Sequence, residues 1–173
     1  MLPEDRLTNR LVYIATRWVL CMACDESGSK SDDLCTACGS MCPSPGGRSG
    51  DPAMLSDWDE INTNDSMTAE QAYRATCAFL AHTAKAWHSH DLESLVSAME
   101  ADIEDTSSRS WENFTKAIAW AAEGKPVIWF VPDSSGAMKK EQQIYWKPNS
   151  DGSVTVSVVV DGVTQHIETR TNP

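Results

Sequence analysis

The first part of the chain carries apolar residues at helical spacing. Leu7, Leu11, Ile14, Trp18 and Met22 recur every three or four positions. This period places them on one face of a helix, because 3.6 residues complete one turn. The pattern therefore predicts a first amphipathic helix.

Two further helical segments complete a first helical unit. A short segment at 34–41 is followed by a Pro/Gly-rich break at 43–50. Asp51 and Pro52 then predict a helix start, because a carboxylate caps free backbone N–H groups and proline suits the first turn. Three apolar residues share one face of this third helix: Leu55, Trp58 and Ile61.

A second helical unit begins at Thr68. Thr68 and Gln71 have the spacing of a capping box, in which each side chain satisfies a backbone N–H of the other residue. The helix that follows extends through Trp87. Two more apolar stripes succeed it, and their members are Leu92, Leu95, Val96 and Met99, then Trp111, Phe114, Ile118 and Ala121.

The two units align as a diverged tandem repeat. The matching positions are Tyr13, Ala15 and Thr16 with Tyr73, Ala75 and Thr76 (offset 60), Asp33, Leu34 and Met41 with Asp91, Leu92 and Met99 (offset 58), and Trp58 with Trp111 (offset 53). The alternative is that any two sets of amphipathic helices align somewhere. The offset falls from 60 to 53 because the second unit is shorter than the first. The residues that it lacks correspond to the Pro/Gly-rich break of the first unit, where a deletion costs least stability.

From Pro126 the pattern changes to the period of two that is typical of strands. Four segments are rich in β-branched and aromatic residues, at 127–131, 142–147, 154–160 and 163–169. Turn residues at 149–152 and the pair Asp161-Gly162 predict two hairpins. Since so small a sheet needs a partner for one face, we expect it to pack on the second helical unit.

These elements predict an α+β fold, with mostly helical tandem units followed by a small C-terminal antiparallel β-meander. The expected domains are an acidic helical unit with the cysteine pairs over 1–65 and a second domain over 66–173. In the second, a helical unit (66–124) packs with the meander (125–173).

The negative charge belongs to the first two thirds of the chain. The sequence has 14 basic and 25 acidic residues, a net charge of -11. Segments 1–65, 66–124 and 125–173 carry 5 basic against 11 acidic (-6), 4 against 9 (-5) and 5 against 5 (0). Such a surface repels nucleic acid and anionic membranes and attracts basic partners. We therefore expect no direct nucleic-acid or membrane binding and, since neither a leader nor a spanning segment is predicted, a cytoplasmic location.

Two CxxC pairs are the sharpest local motif. Cys21 and Cys24 are separated by ten residues from Cys35 and Cys38, and Cys42 follows. Two such pairs can bind one tetrahedral zinc ion, the one cofactor that the sequence suggests. At helical spacing, cysteine also serves as a small buried apolar residue in a reducing cytoplasm. Both interpretations remain open.

Other polar clusters offer weaker chemistry. His82, His88 and His90 could bind a metal or transfer protons, but polar residues at a helix end are commonly solvated. Two carboxylate groups stand out: Asp57, Asp59 and Glu60, then Asp102, Glu104 and Asp105. They lack a nucleophile motif around them, so we expect partner binding, at equivalent places in the two repeats, rather than catalysis.

The first unit resembles a known protein family. The motifs that carry the resemblance are Gly-Ser-Lys-Ser-Asp-Asp-Leu at 28–34, Gly-Ser-Met at 39–41 and Asp-Pro-Ala-Met-Leu-Ser-Asp-Trp at 51–58. They are similar to those of small helical bacterial proteins found beside polymorphic or secreted toxins. The resemblance covers about 7–62, recurs more faintly in 68–122, and implies an immunity protein. The chain departs from the family in its cysteines, which replace bulky apolar residues, and at Leu55, where a tryptophan is expected.

The sequence thus predicts an immunity or inhibitor protein, not an enzyme. It would bind and neutralise a cognate bacterial toxin with a basic cleft through the acidic helical surface. Two alternatives stay open. One is a phage-encoded inhibitor of a host defence complex that mimics nucleic acid with the same carboxylates. The other is a zinc-stabilised adaptor or regulatory module.

Overall fold

The protein is described by a computed structural model that covers residues 6–28, 31–41, 51–132, 135–136 and 138–170. The elements in these residues are β1 (Leu7–Thr8), α1 (Asn9–Glu26), α2 (Asp32–Met41), α3 (Pro52–Ile61), β2 (Ser66–Met67), α4 (Ala69–Trp87), α5 (His90–Ala101), α6 (Arg109–Glu123), β3 (Val127–Pro132), β4 (Met138–Pro148), β5 (Val154–Val160) and β6 (Val163–Arg170). Within these ranges, six helices followed by a four-stranded antiparallel sheet confirm the predicted α+β class.

The predicted helix starts are confirmed by their caps. The Asp51 carboxylate accepts from the Ala53 N–H at 2.9 Å, with Pro52 in the first turn of α3. Thr68 and Gln71 form the reciprocal capping box of α4. Local side-chain chemistry therefore sets where these helices begin.

The predicted Pro/Gly-rich break at 43–50 and Cys42 lie outside the described residues.

The two helical units have the same order of elements: a two-residue strand, a long helix and two shorter helices. Strand β1 pairs antiparallel with β2, with Leu7 opposite Met67. Each short strand leads into a helix whose N-cap is a threonine, Thr8 for α1 and Thr68 for α4. The positions that align in sequence therefore also occupy equivalent places in the fold.

Crossed hydrogen bonds join the two units at the starts of α2 and α5. Ser31 Oγ donates to Asp91 Oδ2 at 2.6 Å, and Ser89 Oγ donates to Asp33 Oδ2 at the same distance. Each serine hydroxyl also accepts from a backbone N–H of its own helix. Such reciprocal contacts are those of a two-fold interface, here formed within one chain.

The sheet has the order β3-β4-β5-β6, and each strand pairs antiparallel with the next. Asp161 and Gly162 both have positive φ, 51° and 76°, which suits the two-residue turn predicted between β5 and β6. Strand β4 packs on α6, as expected, and also on α1 of the first unit. The meander thus packs on both helical units rather than on the second alone.

Tyr13 explains this shared packing. Its ring lies 5.6 Å from Trp58 of α3, 6.4 Å from Phe79 of α4 and 6.0 Å from Trp146 of β4, each in an edge-to-face arrangement. These four aromatic side chains are buried. One aromatic core therefore connects both helical units with the sheet.

No helix in the described parts of the chain is both long and apolar enough to cross a membrane.

Candidate functional site

The first predicted carboxylate cluster lies on the second half of α3. Asp59 is bound through both its oxygens by Arg10, with Nη1–Oδ1 at 2.6 Å and Nη2–Oδ2 at 3.1 Å. Asp57 Oδ2 lies 3.5 Å from His82 Nε2 on α4. Glu60, one turn after Asp57, is exposed. Because Arg10 already neutralises Asp59, Asp57 and Glu60 are the carboxylates better placed for a partner.

The second cluster lies in and around the loop between α5 and α6. Asp102 is half-buried and accepts from Ser110 Oγ at 2.6 Å. Glu104 is 86% exposed and pairs with Arg74 of α4 at 3.0 Å. Asp105 accepts from the backbone N–H and the hydroxyl of Ser107, which lowers the pKa of Asp105. Both Glu104 and Asp105 are therefore carboxylates exposed to solvent.

Both clusters border the exposed side of α4. His82 and Arg74, the residues that Asp57 and Glu104 contact, are both exposed on this helix, with exposed Ala78 midway between them. Arg74 and His82 are eight positions apart, or about 12 Å along the helix axis. Glu70 pairs with Arg74 at 3.0 Å one turn earlier. We call this surface the acidic face, and its carboxylates are Asp57, Glu60, Glu70, Glu104 and Asp105.

The expectation that the two clusters occupy equivalent places in the repeats needs correction. With Trp58 aligned to Trp111, the counterparts of Asp57, Asp59 and Glu60 are Ser110, Glu112 and Asn113 of α6. The second cluster instead precedes α6, in a loop whose counterpart in the first unit is largely outside the described residues. The clusters meet because α3 and α5 both pack on α4. Their partners Arg10 and Arg74 carry no local sequence signal, and His82 stood out only as one of three neighbouring histidines.

The four cysteines of the two CxxC pairs lie together on the hairpin formed by α1 and α2. Cys24 and Cys35 form a disulfide, with their Cα atoms 5.5 Å apart. Cys21 and Cys38 remain thiols and are hydrogen bonded to each other. We call these two rungs the cysteine ladder. Since the disulfide removes two of the four predicted ligands, the ladder in this state has two thiols and no four-thiolate zinc site.

The cysteine thiols differ in acidity. The hydrogen bond with Cys38, aided by the charges of Arg17 and Lys125, lowers the pKa of Cys21 to about 6 despite partial burial. Burial raises the pKa of Cys77, on α4, to about 12. Cys21 is thus a thiolate near neutral pH, whereas Cys77 stays protonated. A thiolate is the form of cysteine that attacks electrophiles and binds metals.

The histidines are not brought together. His82 pairs with Asp57, His88 ends α4 in a left-handed conformation at φ 52°, and His90 lies 3.8 Å from Glu93. In the part of the chain that the structure describes, no three side chains of His, Cys, Asp or Glu are arranged to hold a metal ion. The histidines therefore act here as helix-end and surface residues.

A polar cleft of about 790 Å³ lies where α1, the end of α3 and the β4–β5 turn meet. The Arg10–Asp59 pair forms part of its wall, together with Asn9 and Asp151. These residues come from segments far apart in sequence, so no local pattern predicted the cleft.

Comparison with protein-family models, with curated proteins and with solved structures found no match to the chain.

Proposed function

We propose that the protein is an immunity- or inhibitor-type protein that binds and neutralises a cognate bacterial toxin through the acidic face. The observation that carries the proposal is the meeting of both carboxylate clusters on the exposed side of α4. A single continuous surface can oppose one partner, whereas scattered carboxylates serve mainly solubility. The resemblance of residues 7–62 to toxin-associated immunity proteins supports the same function.

The charge balance of the face favours a basic partner. The face carries five carboxylates and one guanidinium, that of Arg74, which pairs with Glu70 and Glu104. Lys85 stands one turn beyond His82. With a net charge of -11, the whole chain adds to this local field. Complementary fields of this kind raise association rates and fix orientation, and they weaken as salt increases. The partner surface would therefore be rich in lysine and arginine, as in the substrate cleft of a nuclease.

The same surface supports the related proposal of a phage-encoded inhibitor of a host defence complex. There the carboxylates would occupy a site that normally holds the phosphates of nucleic acid. In both cases the protein would act by occlusion rather than by catalysis. The proposed location is the cytoplasm, where a nuclease toxin meets its substrate.

The proposal can be tested by capture of partners on the full-length tagged protein from a lysate of its native host, followed by mass spectrometry. We expect a basic toxin-like protein that is retained at low salt and released at high salt. Replacing two acidic-face residues, Glu60→Lys with Glu104→Lys, should release it even at low salt. Competition by a DNA oligonucleotide would indicate that the captured partner uses a nucleic-acid cleft.

A matched variant controls for net charge. Glu123 and Glu141 are exposed at the end of α6 and on β4, two elements that carry no carboxylate of the acidic face. Glu123→Lys with Glu141→Lys changes the net charge by the same amount and should keep the partner bound. If both double variants lose the partner equally, binding depends on total charge and the acidic face is not the site.

A further inference from the structure

The four cysteines of the ladder face each other across the hairpin of α1 and α2. Helices α1 and α2 are antiparallel, and Cys21 and Cys38 lie one turn farther from the connecting loop than Cys24 and Cys35. Residues three apart on a helix share a face, so each helix presents both its sulfurs to the other. All four cysteines line one shallow cleft of about 220 Å³. The two sulfur pairs therefore lie one turn apart on the same side of the hairpin.

The second unit shows that helix packing does not require these sulfurs. Its hairpin of α4 and α5 has the same order and the same crossed caps. At the positions that correspond to the ladder it carries Ala81, Ala84, Glu93 and Val96. Ordinary residues thus pack this type of hairpin within the same molecule. The thiols of the first hairpin therefore call for a chemical role.

We propose that Cys21, Cys24, Cys35 and Cys38 bind one thiophilic divalent ion of the zinc class when the Cys24–Cys35 disulfide is reduced. A dithiol reductant supplies two electrons and two protons to this disulfide, and the reductant itself becomes a disulfide. The ion then binds the four sulfurs as thiolates: each cysteine that is still protonated releases its proton to solvent, and four metal–sulfur bonds form. This site does not depend on the partner-binding proposal.

With the disulfide formed, no three side chains of the described residues are arranged to hold a metal ion, so the site requires the two freed thiols to turn toward Cys21 and Cys38. Zinc–thiolate bonds of about 2.3 Å in a tetrahedron place the sulfurs about 3.8 Å apart. Cys21 and Cys38 already lie at hydrogen-bonding distance, and the broken disulfide needs only a small separation of two side chains. Four thiolates around a divalent ion carry a net charge of about -2. Arg17, which lines the cleft, and Lys125, which acts on Cys21, are the cations that offset it, while Asp25 opposes them.

The test uses the full chain in two states, oxidised and reduced with a dithiol that is then removed under argon. Co²⁺ is the spectroscopic probe, because a tetrahedral four-thiolate site gives strong sulfur-to-cobalt charge transfer and intense d–d bands. We expect these bands only in the reduced protein, with about one Co²⁺ per chain, and their loss on addition of Zn²⁺. Cys21→Ser and Cys38→Ser should each abolish the four-thiolate spectrum.

Cys77→Ser provides the matched control, since this buried thiol on α4 is outside the ladder. It should leave the cobalt spectrum unchanged. The proposal is overturned if reduced protein gives no such spectrum, if the oxidised protein gives the same one, or if Cys77→Ser weakens it as much as Cys21→Ser. Circular dichroism of each variant identifies any that fails to fold, and Cys24→Ser then tests the ligand set independently.

Discussion

The hydroxyl oxygens of Thr16 and Thr76 lie 3.0 Å apart in the buried centre of the helical region. These residues occupy aligned positions of α1 and α4, 60 residues apart. Thr16 Oγ1 also donates to the Val12 carbonyl at 2.9 Å. Because Thr16 has one hydroxyl hydrogen and directs it to Val12, we infer that Thr76 donates to Thr16. The two long helices thus touch at equivalent residues, as helices do across a two-fold axis.

This direction of donation predicts unequal effects of two similar substitutions. Thr16→Val leaves the Thr76 hydroxyl buried without its acceptor, at a cost of about 1–3 kcal/mol in the free energy of unfolding. Thr76→Val leaves Thr16 bonded to Val12 and should cost less, about 0.5–1.5 kcal/mol. Urea denaturation of both variants measures the difference. Equal losses would contradict the assigned donor.

The double variant adds an independent check. Thr16→Val with Thr76→Val removes both hydroxyls, so no polar group stays unsatisfied at this contact. Its loss should be smaller than that of Thr16→Val alone, and therefore well below the sum of the two single losses. Additive losses in a double-mutant cycle would show that the two hydroxyls are not energetically coupled.

The crossed serine–aspartate contacts predict that Ser89 stabilises more than its own helix. Ser89→Ala removes both the N-cap of α5 and the hydrogen bond to Asp33, so the free energy of unfolding should fall by about 1–2 kcal/mol. Ser94 is an exposed serine of the same helix. Ser94→Ala should change stability by less than about 0.5 kcal/mol. Thermal unfolding of the two variants under the same conditions measures this difference in stability. Equal losses would contradict the role given to Ser89.

Two glycines predict opposite effects of the same substitution. Gly124 ends α6 at φ 69°, and a Cβ there would lie 3.1 Å from Lys147 Cβ. Gly124→Ala should therefore destabilise by about 1–2 kcal/mol. Gly39 lies inside α2, where an added Cβ would have no neighbouring atom of the described residues within 4 Å. Gly39→Ala should stabilise by up to about 1 kcal/mol, because alanine favours a helix. If Gly124→Ala instead raised the stability, that result would contradict the left-handed conformation of Gly124 and its close contact with Lys147.

The acidity of Cys21 predicts the pH dependence of alkylation. Since its pKa is lowered to about 6, the thiolate forms as pH rises through this value, and iodoacetamide labelling of Cys21 should reach half its maximal rate there. Cys38→Ala removes the largest cause and should move the midpoint upward. Cys77, with its pKa raised to about 12, should stay unlabelled at neutral pH. Peptide mass spectrometry assigns the modified residue in each case.

Periodicity and turn chemistry predicted the elements of this fold because both depend on neighbouring residues. Asp51-Pro52, the Thr68–Gln71 box and Asp161-Gly162 each act within a few positions, and the structure shows all three as expected. The repeat alignment also paired Thr16 with Thr76 correctly, because equivalent residues meet near an internal two-fold axis.

The arrangement of the site depends on contacts between distant residues, so the sequence alone did not reveal it. Arg10 neutralises Asp59 across 49 positions, and Arg74 reaches Glu104 across 30. Asp59 is bound through both its oxygens by Arg10, whereas Glu104 keeps most of its surface in solvent, a distinction that charge counting cannot make. The Cys24–Cys35 disulfide likewise follows from the antiparallel α1–α2 hairpin, which brings the two CxxC pairs face to face.

The most direct test of the binding proposal is hydrogen exchange of the protein alone and in complex with its captured partner. We expect slower exchange in α3, in the outer part of α4 and in the loop between α5 and α6 that contains Glu104. The same segments should lose this protection in the Glu60→Lys, Glu104→Lys variant. Protection confined to strands β3 to β6, with α4 unchanged, would contradict the acidic face as the partner-binding surface.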